Sequence, residues 1–226
     1  MDEAETRTAP ARPLLEAGLV FAALYLSAYL PADPRAIADS LGKPGFHVSI
    51  LAALVPKALL VLYLIARSDG FAAFGITRPR LADLAHALLC ALGAVAVLVL
   101  PSALLLSFGL RNPLMEATRA PGGPSLLLVP LVLASSLAVG YGEEIFFRSY
   151  LIRRLRQAGL SAPWAALASS LVFGSAHGVQ GPVGLALASL LGLWFAWRWL
   201  DGGRIHEIAV GHAMYDAGVI LFALFR

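Results

Sequence analysis

The chain is expected to fold as an all-α, polytopic transmembrane bundle of about seven spanning helices, and three observations predict this. Hydrophobic residues make up 59% of the 226 residues and charged residues only 14%, whereas a soluble domain is about half apolar and about a quarter charged. Mean hydropathy is +0.77. Apolar runs recur that approach or exceed the roughly 20 residues a spanning helix needs, and alternating segments of about ten residues, the mark of a membrane β-barrel, do not appear.

Taken in order, the first run is Leu14 to Leu30, with Glu16 near its start. The residues before it include Asp2, Glu3 and Glu5 ahead of Arg7 and Arg12. A cleaved signal starts with a basic region, so this run is expected to remain as a helix. A turn-rich loop, Pro31 to Gly45, leads to the second run, Phe46 to Ala66, which contains Pro56 and Lys57. Pro56 predicts a kink, and Lys57 is read as a snorkelling or paired structural lysine. A loop with Phe74-Gly75-Ile76 precedes the third run, Leu81 to Gly109. That run is long enough to tilt or to start in the interface, where Asp83 and His86 are expected. The fourth extends from about Ser125 to Gln157, the fifth from Ala162 to His177, the sixth from Val183 to Leu200, and the seventh from Ile205 to Phe225. Gly178 to Pro182 reads as a tight turn and Asp201-Gly202-Gly203 as a stop. No internal repeat or second domain is visible. The expectation is one integral membrane domain over 1–226, with a motif-bearing core at about 125–226.

Charge placement orients the bundle. With seven spans, one face holds Arg7, Arg12, Arg67, Arg78, Arg80, Arg153, Arg154, Arg156, Arg198 and Arg204, ten in all. The other holds Arg35, Lys43, Arg111, Arg119 and Arg226, five in all. The N-terminus is thus expected in the cytoplasm and the C-terminus outside. The single cysteine, Cys90, excludes an intrachain disulfide, and the net charge of +3 reflects loop arginines, not a nucleic-acid footprint.

Ionised groups are expensive in hydrocarbon and default to function. The last four helices carry three polar clusters: Glu143, Glu144 and Arg148; His177; and His212 with Asp216. Glu144 and Arg148 are four apart, the favourable order for a helical ion pair, whereas Glu143 is turned about 140° from Arg148 at 3.6 residues per turn. Glu144 and Arg148 therefore read as a structural brace, and Glu143 as the carboxylate left free for acid–base work. Phe173 with His177, and His212 with Asp216, are also spaced by four, so each pair shares a face. At 1.5 Å per residue, Glu143 lies about 15 Å below Arg153, His212 and Asp216 about 10 and 16 Å past Ile205, and His177 about 22 Å past Ala162. Two histidines with a glutamate and an aspartate could also hold zinc with an open position for water, although the spacing does not match His-Glu-x-x-His.

Glu143-Glu144-x-x-x-Arg148, Phe173-x-x-x-His177 and His212-x-x-x-Asp216 resemble the three motifs of the CPBP family. These are intramembrane glutamic endopeptidases that include CAAX prenyl proteases of the Ras-converting type and bacteriocin-processing relatives. Phe74-Gly75-Ile76 is similar to a short upstream segment of that family. The resemblance implies a peptide hydrolase in which Glu143 activates a water positioned with His177, while His212 and Asp216 stabilise the oxyanion, without a cofactor or metal. Asp216 stands where prenyl-protease members usually have asparagine, so it would act either protonated or by orienting His212. Glu144, Arg148 and Phe173 would support the site. The expected partners are the lipid bilayer and a membrane-associated, hydrophobic or lipidated peptide cut near its C-terminus and near the cytoplasmic half of the bilayer. The expected setting is a bacterial inner (plasma) membrane. The competing reading is a non-catalytic immunity, scaffold or transporter component, although the broken helices and repeats of a transporter are not evident.

Overall fold

A computed structural model describes residues 11–117, 126–202 and 204–225, and the observations below concern these residues. Asp2, Glu3, Glu5, Arg7, Arg119, Ser125, Gly203 and Arg226 lie outside them.

The architecture is all-helical. It comprises α1 (Ala11–Tyr25), the short α2 (Pro34–Ser40), α3 (Pro44–Arg67), α4 (Leu81–Ser107), the short α5 (Pro113–Ala117), α6 (Val129–Glu144), α7 (Ile152–Gln157), α8 (Ala162–Ser175), α9 (Gly181–Gly202) and α10 (Ile205–Phe225). Between α6 and α7 the chain continues as a π-helix, Ile145–Leu151, so the fourth predicted run is one rod from Leu126 to Gln157. Six segments are long and apolar enough to cross a membrane. The exception among the seven expected is α8, which has 14 residues and ends at Ser175 rather than at His177. It starts beside α7, and its last residue, Ser175, meets Tyr29 Oη through Oγ at 2.6 Å. The loop expected over 31–45 contains α2, started by Asp33 Oδ1 accepting from the Arg35 N–H at 2.9 Å with Pro34 at the first helical position. Pro56 and Pro101 both sit inside helices.

The two ends of the bundle differ in chemistry. At one end, Arg154 Nη2 reaches Glu16 Oε1 at 2.8 Å, Arg153 Nη2 reaches Asp69 Oδ2 at 2.6 Å, and Arg204 clasps both oxygens of Asp83 at 2.6 Å. Asp83 is therefore buried against Arg204, which comes from the distant α9–α10 turn. His86 is exposed. At the opposite end, Asn112 Nδ2 donates to Gln180 Oε1 at 3.1 Å, and His47 links the Leu41 carbonyl (2.9 Å) to Ser135 Oγ (2.8 Å). Lys57 Nζ donates to the Leu24 carbonyl at the end of α1, in keeping with a structural lysine.

Phe74-Gly75-Ile76 docks on the π-helix. Phe74 is buried, its carbonyl accepts from Ser149 Oγ at 2.5 Å, and its ring lies 6.1 Å from that of Tyr150. Gly75 has φ 68°, a left-handed conformation that favours glycine, and this turns the chain toward α4.

The hydrogen bond from Arg153 holds the Asp69 carboxyl below its usual range. A carboxyl depressed in the folded state contributes stability that is complete above its unfolded value, about 4, and is lost as pH falls through the lower folded value. Melting temperature in detergent is therefore expected to drop on acidification below about pH 4, and Asp69→Asn to flatten part of that drop.

Candidate active site

Small residues let the site helices approach closely. A Cβ on Gly140 would lie 2.3 Å from the Ala209 carbonyl oxygen of α10, and one on Gly174 would lie 1.9 Å from Ser189 Oγ of α9. Helices in lipid associate largely through such close packing. Gly140→Ala is expected to cost about 1–3 kcal/mol or more through overpacking, while Gly18→Ala, with nothing within 4 Å of its Cβ position, is expected to be neutral; thermal denaturation of the two variants checks this.

One α6 turn beyond Gly140, Glu143 and Glu144 point to different surroundings. Glu144 is fully buried. Its Oε2 lies 3.0 Å from Arg148 Nε, and its Oε1 accepts from His212 Nδ1 at 2.8 Å. The π-helix widens the backbone as Arg148 turns inward; such turns are frequent at functional sites. Ser169 Oγ of α8 donates to the Phe147 carbonyl in this stretch at 2.7 Å. Arg148 is caged by aromatic rings, with its guanidinium carbon 4.5 Å from the Phe173 centroid and 5.7 Å from Phe195, and Nη2 donates to the Gly192 carbonyl at 3.2 Å. The contact with Glu144 lacks hydrogen-bond alignment, so Arg148 Nε and Nη1 and Glu144 Oε2 are buried without hydrogen-bond partners. The pair is held by charge and by its aromatic walls.

Glu143 lines a cavity of about 1160 Å³, together with Phe173, His177, His212 and Asp216. Its Oε2 is 3.9 Å from His212 Nε2, and Asp216 Oδ2 is 3.5 Å from the same nitrogen. The His212 ring packs 4.7 Å from that of Phe195. His177 lies just beyond α8, and its Nδ1 is 2.9 Å from the Phe173 carbonyl. A carbonyl only accepts, so Nδ1 carries a proton there and Nε2 is the acceptor in the neutral ring. The depth mismatch counted from Ala162 does not keep His177 away from the other three. The brace expected of Glu144 and Arg148 is present, with an addition: Glu144 also holds His212 through Nδ1, which turns Nε2 toward Glu143 and Asp216. Among the described residues, no three His, Cys, Asp or Glu side chains converge as a metal-holding group.

Phe195, Gly192, Gly140 and Ser169 escaped the sequence reading. Gly140 could have been suspected from its small-residue surroundings on an apolar helix; nothing local distinguishes Phe195 from the other aromatics of α9.

Fold and site together define an integral membrane protein of many helices that encloses a cluster of protonatable side chains at the wall of one cavity. Residues 125–218, a little over two-fifths of the chain, match the family model described as Type II CAAX prenyl endopeptidase Rce1-like, and what that model describes is a family of peptidases. No curated protein and no solved structure matched the chain.

Proposed function

We propose that the protein is an intramembrane endopeptidase in which Glu143 activates water to hydrolyse a peptide bond near the C-terminus of a membrane-associated or lipidated polypeptide. The observation that carries this reading is the division of the adjacent glutamates: Glu144 is consumed by Arg148 and His212, while Glu143 faces the cavity. In the reaction, Glu143 takes a proton from water as its oxygen bonds to the scissile carbonyl carbon. The carbonyl π electrons move onto oxygen, and the oxyanion forms within reach of a donor. Collapse of that intermediate breaks the C–N bond, and the proton held by Glu143 passes to the leaving nitrogen.

His177 Nε2, as an acceptor, suits the second proton of the attacking water. His212 Nε2 serves the oxyanion when the ring is protonated, because Nδ1–H remains committed to Glu144. Asp216, 3.5 Å from that nitrogen, is matched to holding the imidazolium form, while orientation of the ring falls to Glu144.

The test is hydrolysis of apolar C-terminal peptides by the full chain in lipid vesicles, with products identified by mass. The expected result is one internal cut that disappears in Glu143→Gln. Cleavage unchanged in that variant, or absent from wild type for every membrane-associated peptide tried, sinks the proposal in favour of a non-catalytic scaffold or immunity role. We also hold the reaction to be metal-free. Cleavage is expected to survive exhaustive chelation, and restoration of a chelator-abolished activity by zinc alone would reverse that reading.

A further inference from the structure

The cavity and the basic residues occupy opposite ends of the bundle. Of the arginines assigned above to the cytoplasmic face, nine are among the described residues, and they cluster where Arg154 meets Glu16, Arg153 meets Asp69 and Arg204 meets Asp83. The opposite end holds three described cations, Arg35, Lys43 and Arg111. On α3, α4, α9 and α10 the lining residues lie toward this second end (Phe46 and Ile50, Ser102 onward, no further than Leu191, and His212 onward), and the Leu126–Gln157 rod contributes Val139 and Glu143 from its middle. The rim there includes Arg111 and Glu116, whose side chains are 58% and 50% exposed. Between rim and floor the walls are mainly Leu, Ile, Val and Phe.

Excess lysine and arginine in short loops marks the cytoplasmic side. Taken with the position of the rim, we propose that the cavity opens to the non-cytoplasmic face, and that its occupant is an apolar segment of an exported or membrane-anchored polypeptide presented from that face, not a cytoplasmic lipidated tail. The substrate half of this inference rests on the peptidase reading; the topological half does not. It shifts the reaction away from the cytoplasmic half of the bilayer expected from sequence.

Two variants of the full chain, each with one cysteine added, test it in cells whose inner membrane is the only permeability barrier. Glu116→Cys sits at the rim and Arg156→Cys on the exposed basic end, with wild type, whose Cys90 is buried, as the blank. A membrane-impermeant maleimide is expected to label Glu116→Cys in intact cells and Arg156→Cys only after lysis. The reverse pattern, or labelling of both before lysis, overturns the proposal. This readout needs no peptidase activity, so its failure is distinct from failure of the proposed reaction. Given activity, an apolar reporter segment tethered outside is expected to be cut, and its cutting to stop when Glu116→Cys is blocked with a bulky maleimide. Cleavage confined to a cytoplasmic reporter overturns the substrate half.

Discussion

Glu143→Gln is expected to lower peptide cleavage by about 10²- to 10⁴-fold, the usual worth of a positioned general base, while the bundle stays folded. The substitution keeps the shape and removes only the ability to accept a proton. Little structural role is lost with it: the nearest cationic contact of Glu143 is His212 Nε2 at 3.9 Å, beyond hydrogen-bond range, and the side chain is 16% exposed on the cavity wall. Activity and melting temperature should therefore separate. Glu144→Gln should couple them, because it discharges the partner of Arg148 while leaving an amide oxygen that can still accept from His212 Nδ1. Rates for the two variants at equal expression decide the assignment. A larger loss from Glu144→Gln with unchanged stability would exchange the roles given to the two glutamates.

The sequence shows the parts of this molecule that depend on local spacing. Apolar run length located the spanning helices because a bilayer imposes a minimum length on each; α10 begins at Ile205 and ends at Phe225, as the run did. The four-residue spacings of Glu144–Arg148 and His212–Asp216 placed each pair on one face, and both pairs are within contact distance. What was hidden depends on tertiary packing. The end of α8 before His177 is set by a short 3₁₀ turn, Gly178–Gln180, packed near α5, and apolar composition does not encode that stop. The π-helix after Glu144 cannot be read from 3.6-residue periodicity, which assumes a uniform rod. The bond from His212 to Glu144 joins residues 68 apart in sequence, and only the close crossing at Gly140 explains why they meet. Asp83 belongs to the same class: its partner Arg204 is 121 residues away.

Arg148→Met should be the most destabilising single change at the site, costing about 3–5 kcal/mol, the range for breaking one side of a buried ion pair. Arg148 and Glu144 are both fully buried, so removal of the guanidinium leaves a carboxylate without its cation. The loss should exceed that of an exposed pair such as Arg111–Glu116, where a typical value is about 0–1 kcal/mol. Arg148→Lys is not expected to rescue it. A lysine ammonium is a point charge that cannot stack its plane between Phe173 and Phe195 while donating to the Gly192 carbonyl. The double variant Arg148→Met with Glu144→Gln is the informative comparison. Without a buried charge to compensate, its stability should lie above that of Arg148→Met alone, giving a non-additive cycle measurable by thermal denaturation in detergent. Cleavage should not return with stability, because His212 would then be held by a neutral amide rather than a carboxylate, weakening the site's hold on a protonated ring. Simple additivity would mean that the aromatic cage, not the charge pair, fixes this corner of the site.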